Sequence, residues 1–338
     1  MNADLRAPFF VNVLANYDYR AEAHSVLALE KAVRKSVETG FDYTLVTTGG
    51  QRLDPFVVAQ YGLSLDPRFA PLIAVNPANQ HPIECAKRLL SLQEIYPNRM
   101  ALNFVTGAFG SDAKAVGENL DYAERCERLT EFVETVGELL SRNRQFSAQG
   151  KYFKVGEVLL KMGPQMDGQQ RPPADLFVSG TKRGFKTPWE SSCYFVRTLR
   201  PPQDQESSPD PRHGLLLGIL ARPTQSEAEQ AALSIFPSDR KGAMLFDLSL
   251  KTMRRTPWLD WIHDHFSNLR LEDPDYNLNP LRNFHSPVPY VVGSYDRIAE
   301  RLRSWTRMNF NFFILDFPAT DFGHVSKVLE HFRGVTPR

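Results

Sequence analysis

Short apolar runs alternate with longer amphipathic stretches along this chain. The runs are Phe9–Leu14, Tyr43–Thr47, Leu72–Val75, Met100–Val105, Asp175–Ser179, Tyr194–Arg197, Leu215–Ala221 and Phe312–Phe317. Each is apolar at successive positions, so a strand built from it is covered on both faces. That is the pattern of parallel strands flanked by helices. Between the runs the period becomes helical. Ser25–Thr39 places Val26, Leu29, Ala32, Val33 and Val37 at helical spacing, and Pro82–Ile95 does the same. Glu124–Leu140 gathers Leu129, Phe132, Val133, Val136, Leu139 and Leu140 into one stripe. Ser294 reads as the N-cap of a helix carrying Ile298, Leu302 and Trp305. Eight strands alternating with helices predict an α/β fold: one (β/α)8 TIM-type barrel over residues 1–338, with insertions.

Two stretches break the alternation. Residues 141–173 contain Gly150-Lys151-Tyr152-Phe153-Lys154-Val155, which reads as a hairpin-type insertion. Residues 237–289 form the largest insertion, aromatic and punctuated by proline, between the seventh and eighth strands. A long loop at that place predicts a lid over the mouth of the barrel.

Ligands of such folds meet the C-terminal ends of the strands. The stretch Tyr96–Phe132 has the matching form: the run Met100–Val105 stops at Thr106-Gly107, a polar loop follows, and then an amphipathic helix. The fifth strand ends in Ser179-Gly180-Thr181-Lys182-Arg183-Gly184, where backbone N–H groups, two hydroxyls and two cations suit a phosphate. A capped helix start has the same composition.

Composition narrows the chemistry. With 42% apolar and 23% charged residues the chain is of ordinary globular type. A net charge of +1 without a long basic run gives no electrostatic case for nucleic acid. Cys85, Cys126 and Cys193 form no CxxC pair, so neither a zinc site nor a disulfide framework is indicated. Their odd number, with an N-terminal apolar run too short for a signal or a membrane span, predicts a reducing, cytoplasmic setting. His263 and His265 are two apart in a helical segment and would face apart; no HExxH pattern occurs, and no metal is expected. There is no GxSxG elbow, and Cys126 and Cys193 sit in periodic segments as core residues.

Asn103-Phe104-Val105-Thr106-Gly107, then Tyr122-Ala123-Glu124-Arg125 with Glu131-Phe132, resembles the luciferase-like flavin-dependent monooxygenases, and within them the alkanesulfonate branch. The resemblance continues through Gly150-Lys151-Tyr152-Phe153, Pro172-Pro173, Ser179-Gly180-Thr181, Val292-Gly293-Ser294 and Ile298-Ala299-Glu300-Arg301-Leu302. It covers roughly Phe9 to Phe332 in order. It implies a TIM-type barrel that uses reduced FMN, delivered by a separate NAD(P)H:flavin reductase, with dioxygen as co-substrate, and a dimer or tetramer. It further implies that Asn103 and Thr106 touch the isoalloxazine or ribityl chain. Thr48 and Gly49 then line the ring pocket, and Ser179, Gly180, Thr181 and Lys182 hold the phosphate. A non-proline cis peptide near Ala74-Val75 would follow as well.

The departures from the family pattern bear on substrate. Cys126 stands where the family commonly has a phosphate-binding tyrosine, which leaves Tyr122, Arg125 or Lys182 to compensate. The arginine and histidine that face a sulfonate appear as Leu216 and Gly218, and an apolar strand does not pair with an anion. Tyr17, Phe317 and Arg52 replace other family positions. The expected pocket has Phe9, Asn12, Leu216, Gly218 and Phe317 near the flavin face, with Tyr17, Asn76, Arg52 and Arg282 as polar contacts. Tyr17, Asn76 and Arg282 are the candidate catalytic residues. Lys251, Arg254, Arg255, Trp258 and Trp261 give the lid a basic aromatic character suited to a phosphopantetheine arm or another acidic handle. The resulting expectation is a two-component FMN-dependent monooxygenase of natural-product biosynthesis that does not act on alkanesulfonates. A deazaflavin-dependent oxidoreductase, a non-catalytic flavin-binding protein, and an enzyme that dehalogenates or desulfurises a heteroaromatic ring remain alternatives.

Overall fold

The structure is a computed structural model that describes residues 8–14, 26–49, 52–107, 114–141, 145–161, 174–179, 193–252, 257–265, 270–283 and 285–334. In chain order the elements are β1 (Phe9–Val13), α1 (Val26–Thr39), β2 (Tyr43–Val46), α2 (Pro55–Leu65), β3 (Pro71–Val75), α3 (Pro82–Ile95), β4 (Ala101–Val105) and α4 (Tyr122–Ser141). They continue with β5 (Phe146–Gln149), β6 (Lys154–Val158), β7 (Asp175–Ser179), β8 (Cys193–Thr198), β9 (His213–Arg222), α5 (Gln225–Ile235), α6 (Arg240–Thr252) and α7 (Pro257–His265). The last are α8 (Asn279–Arg282), β10 (Tyr290–Ser294), α9 (Tyr295–Arg307), β11 (Phe312–Asp316) and α10 (Phe322–Arg333). This is the (β/α)8 TIM-type barrel that the apolar runs predict, with all eight of those runs forming strands. One parallel strand escapes the sequence reading. Tyr290–Ser294 follows a proline-punctuated stretch and offers only three consecutive apolar residues, and it pairs with just half of β9.

The chain divides into two compact units, residues 1–44, 197–251 and 257–338, and residues 45–196 with 252–256. In unit one the strand order is β10-β9-β11-β1. The ten residues of β9 serve two neighbours, Gly214–Gly218 pairing with Phe312–Asp316 and Gly218–Arg222 pairing with Tyr290–Ser294. Alternation along the strands then sorts the side chains. Phe10, Leu215, Leu217, Ile219, Phe313 and Leu315 join Ile298, Leu302 and Trp305 of α9 and Val325 and Val328 of α10 in one buried core. The other face carries Phe9 stacked on Phe312 at 5.2 Å. Burying a side chain of that size contributes about 1.5–3 kcal/mol, so this core dominates the unit's stability. Two caps fix the helix starts. Ser294 accepts from the Arg297 N–H at 3.2 Å, and Thr224 and Glu227 form a reciprocal capping box on α5; each is worth about 1 kcal/mol. The 237–289 stretch forms α6, α7 and α8 and sends Phe246, Ile262, Tyr276, Leu278 and Leu281 into the same core.

Unit two carries β3-β4-β7 and most of β8 in parallel register. Asp54 caps α2 by accepting from Phe56 N–H and Val57 N–H. The antiparallel pair β5–β6 falls in the 141–173 stretch. Glu131 of α4 accepts from the backbone N–H groups of Lys151, Tyr152 and Phe153 at the tip of this hairpin, the shortest at 2.6 Å. The recurring Glu-Phe and Gly-Lys-Tyr-Phe pieces of sequence are therefore one structural joint: a carboxylate satisfies three donors that the turn leaves over. Phe132 and Phe153 stack edge to face beside it at 5.4 Å.

Candidate active site

The polar residues of unit two gather at the C-terminal ends of β3, β4 and β7. Along β4, Phe104 turns to Phe132 of α4, so its neighbours Asn103 and Val105 take the opposite face. Asn103 is buried and its side-chain oxygen accepts from the Ser179 hydroxyl at 2.9 Å. Register makes this possible, because Asn103 lies opposite Phe177 and Val105 opposite Ser179 on β7. Thr106 follows, also buried. Gly107 then turns the chain with a φ of 77°, a region that a side chain disfavours. A Cβ there would also come within 2.7 Å of the Asn76 amide nitrogen. Asn76 itself follows β3, is buried, and accepts from Ala78 N–H at 3.0 Å.

Arg125 of α4 stands behind this turn. It is 2% exposed and donates to the Gly107 carbonyl at 2.7 Å. Its guanidinium lies over the Tyr122 ring, 5.6 Å from the centroid. The Tyr122 hydroxyl is held above its ordinary pKa by burial and by a hydrogen bond with Cys126. The thiol that replaces the family's tyrosine thus has a phenol beside it, one helical turn earlier. Thr48 and Gly49 follow β2 and are partly exposed; the Gly49 carbonyl accepts from Arg52 N–H at 3.0 Å, and the Arg52 guanidinium donates to the Thr47 hydroxyl.

Asn76, Asn103, Thr106 and Ser179 are therefore brought to neighbouring strand ends, with Tyr122 on the helix behind them. Gly180, Thr181, Lys182 and Tyr17 lie outside the described residues. Arg282 is in unit one, where it donates to the Ala243 carbonyl and to Asp247 at 2.6 and 2.7 Å and stacks over Phe246. It fastens α8 to α6. Three further expectations are corrected. Asn12 does not face a pocket: it donates to Ser36 of α1 and accepts from Thr44, each at 2.8 Å, inside a buried polar network. Phe317 packs against Phe41 and Phe322 at 5.9 and 5.0 Å on the helix side. The peptide at Ala74-Val75 is trans, since no cis bond occurs among the described residues.

In unit one the strand ends are different in kind. Asp316 closes β11 on the face of Phe312, and one of its oxygens accepts from Ser286 at 2.5 Å and from Tyr290 at 2.9 Å. Gly218 lies opposite both Asp316 and Tyr290. Any Cβ at Gly218 would meet the Tyr290 ring at 2.0 Å, so the glycine is what admits the tyrosine. Burial and the charge of Asp316 push the Tyr290 hydroxyl well above its ordinary pKa, so it remains a donor. The sequence reading does not find this group; its trace is a single acid, Asp316, inside the otherwise apolar run Phe312–Phe317.

A profile described as luciferase-like monooxygenase matches residues 13–183, half of the chain. The chain belongs to the luciferase-like monooxygenase family. It is a flavin-dependent monooxygenase. Among curated relatives it is 24% identical, over 82% of its length and 83% of the other, to the 4-(gamma-L-glutamylamino)butanoyl-[BtrI acyl-carrier protein] monooxygenase BtrO of Niallia circulans. Among solved structures, EDTA monooxygenase EmoA of Chelativorans sp. BNC1 superposes with a TM-score of 0.67 at 16% identity, covering 98% of this chain and 95% of that one. An F420-dependent secondary alcohol dehydrogenase with an F420–acetone adduct superposes at 0.63 and 14% identity, covering 98% and 100%. These two structural likenesses speak for the fold.

Proposed function

We propose that this chain is the oxygenating component of a two-component system that takes reduced FMN from a separate NAD(P)H:flavin reductase and oxygenates an organic substrate with dioxygen. The observation that carries the reading is the pairing of Asn103 with Ser179 beside the Gly107 turn. A flavin ring presents alternating donors and acceptors along one edge. Buried neutral amides and hydroxyls match such an edge without setting a charge against it. Asn103, Thr106 and Asn76 are assigned to the ring and ribityl chain, with Thr48 and Gly49 along the ring pocket. Ser179, Gly180, Thr181 and Lys182 are assigned to the phosphate, and Tyr122 takes over the role of the tyrosine absent at Cys126.

When bound, reduced FMN supplies the two electrons with which dioxygen is divided between substrate and water. The protein binds, orients and excludes water. Arg282, proposed from sequence as a catalytic residue, is assigned instead to anchoring α8 on α6 within unit one. Oxygen chemistry favours FMN over a deazaflavin, which transfers hydride and leaves dioxygen untouched. The carrier-tethered substrate named for BtrO makes a carrier-bound intermediate of natural-product biosynthesis the substrate class to try first.

Anaerobic titration with reduced FMN, followed by stopped-flow mixing with oxygenated buffer, tests this. Saturable binding, then a transient absorbance distinct from both free flavin forms, is the expected result. Absence of any binding of reduced FMN overturns the FMN assignment and directs the search to a deazaflavin or a binding role.

A further inference from the structure

We propose that Arg125 is a positioning residue of the flavin cradle: it fixes the Gly107 turn and, through that turn, holds Thr106 and Asn76 in place for the ring and ribityl chain. The proposal rests on the FMN reading above and extends it from the groups assigned to touch the flavin to the one that aims them. All of these residues belong to unit two. The first support is burial. Among the described residues Arg125 is the largest side chain that is fully buried. Taking a guanidinium out of water is costly and persists only where fixed groups receive it. The Tyr122 ring is one such group, 5.6 Å from the guanidinium. The Gly107 carbonyl is another, accepting from Nη1 at 2.7 Å. A charge-assisted bond of this kind is stronger than an ordinary amide–carbonyl bond.

The second support is where the acceptor lies. Asn103 and Ser179 stand in paired strands, so the β4–β7 register holds them. β4 ends at Val105, and Thr106 and Gly107 follow it outside the ladder. They need another anchor, and the bond from Arg125 supplies it. Gly107 has a φ of 77°, and the Asn76 amide fills the space where a Cβ on it would sit. Asn76 in turn orders the chain after β3. Its side chain accepts from Ala78 N–H at 3.0 Å, and its carbonyl accepts from Asn79 N–H at 3.1 Å. A shift of the Gly107 peptide is therefore felt by Thr106 before it and by Asn76 beside it.

The third support is contrast with Arg128, almost one turn further along α4. Arg128 pairs with Glu118 at 2.6 Å, and both side chains are largely buried. Asp121 and Glu124 exchange two hydrogen bonds of 2.9 Å at the start of the same helix. These contacts fasten the end of the β4–α4 connection that enters the helix. Arg125 fastens the end that leaves the strand. The two arginines are alike in charge, helix and burial, and they differ in which end they hold.

The test uses the full chain as wild type, Arg125→Met, Arg125→Lys and Arg128→Met. Anaerobic titration reads the dissociation constant for reduced FMN, and hydrogen exchange followed by mass spectrometry reads the flavin-free protein. Arg125→Met is expected to weaken reduced FMN by about tenfold or more, the scale of a hydrogen bond to a charged group. Arg125→Lys keeps the charge and a donor, and its affinity is expected within about threefold of wild type. Arg128→Met is expected to lower the melting temperature and to leave the affinity within about threefold. In the exchange experiment Arg125→Met should speed exchange at Thr106, Gly107 and the turn after Asn76, while the β4 ladder keeps its protection. A merely structural arginine would lower the melting temperature and move neither the affinity nor that pattern. Unchanged affinity in Arg125→Met, an equal loss in Arg128→Met, a lysine variant as weak as the methionine one, or unchanged exchange at the turn each overturn the proposal. Arg125→Gln replaces the methionine variant, with the same expected loss, if that protein does not fold. Failure of the wild type to bind reduced FMN removes the cofactor reading, and the exchange pattern measured without flavin still decides whether Arg125 sets the turn.

Discussion

The strand ends of unit two and those of unit one solve opposite problems. Unit two assembles neutral amides and hydroxyls, Asn76, Asn103, Thr106 and Ser179, around a left-handed glycine, and places a buried cation, Arg125, behind the backbone. Unit one sets a carboxylate, Asp316, at the end of β11 and surrounds it with two hydroxyls. Both use a glycine to admit a neighbour, Gly107 for Asn76 and Gly218 for Tyr290. In the first the glycine serves a backbone turn; in the second it serves a ring. The difference teaches that strand ends within one fold can be built on opposite electrostatic terms, one set from neutral donors and acceptors and the other around a carboxylate.

The largest expected effect comes from breaking the first construction. Gly107→Val forces a β-branched side chain into a φ of 77° and into contact with Asn76. A left-handed conformation alone costs about 1–2 kcal/mol for a residue with a Cβ, and more when it is β-branched. The contact adds a displacement of Asn76 and of the Gly107 carbonyl that Arg125 holds. We expect affinity for reduced FMN to fall by about a hundredfold or more, a loss near 3 kcal/mol, with cooperative unfolding preserved. Affinity measured by anaerobic titration within threefold of wild type would show that the Gly107 turn is not part of the flavin cradle.

The two constructions were unequally legible. Asn103 to Gly107 stands out because an apolar run ends in a polar, glycine-containing turn, and both the turn and its neighbours follow from local sequence. Asn12 and Phe317 were placed on the wrong face for one physical reason. A parallel strand covered on both sides is apolar at every position, so its sequence does not say which residues alternate inward. Only the register, with Phe10 packed on Phe313 toward the helices, sets the parity that sends Asn12 to Ser36 and Phe317 to Phe322. The same parity brings Asp316 to the other face, which no composition or spacing reveals. β10 is hidden in the sequence because its pairing lies on the second half of β9, a ten-residue strand of which the apolar run Leu215–Ala221 marks only seven.

A smaller effect sharpens the contrast from the side of unit one. Tyr290→Phe removes a donor to Asp316 from a buried position, and the expected loss is about 1 kcal/mol in urea unfolding at neutral pH. Affinity for reduced FMN is expected to stay at the wild-type value. The pH dependence has a definite sign. The hydroxyl is held protonated above the ordinary tyrosine value of 10.0, so its stabilisation is complete below pH 10 and lost as pH rises above it. The variant should therefore approach the wild type in stability in strongly alkaline buffer. A gap that widens there would mean that the hydroxyl is not Asp316's donor in solution.

The smallest effect lies at the other end of β9. His213 opens that strand, 2.6 Å from the Ser208 hydroxyl, with Arg197, Asp210 and Arg212 as its charged neighbours. Burial, then the repulsion of Arg197, lowers its pKa from 6.5 to about 4, although Asp210 works in the opposite direction. The folded state thus holds His213 neutral where the unfolded chain would protonate it. The resulting stabilisation is present above pH 6.5 and lost as pH falls through the window down to about 4. Of the carboxylates with lowered values in this unit, Asp210 and Asp275, with an ordinary value of 3.8, act below that window, while Glu300 and Glu330, with an ordinary value of 4.5, enter only at its acid end. His324 is lowered as well, again by burial, so the informative quantity is the difference between wild type and His213→Gln. Urea midpoints taken between pH 7 and pH 4 should show a shallower acid slope in the variant. Because the ring is partly open to solvent, screening makes this the weakest of the three effects. In unit two the resolved shifts belong to Cys85, Arg99, Tyr122 and Lys151, whose ordinary values are 9.0 or higher. Among the described residues the resolved shifts that fall in this window are those of unit one, and an unchanged slope in His213→Gln would remove His213 from the causes of acid sensitivity.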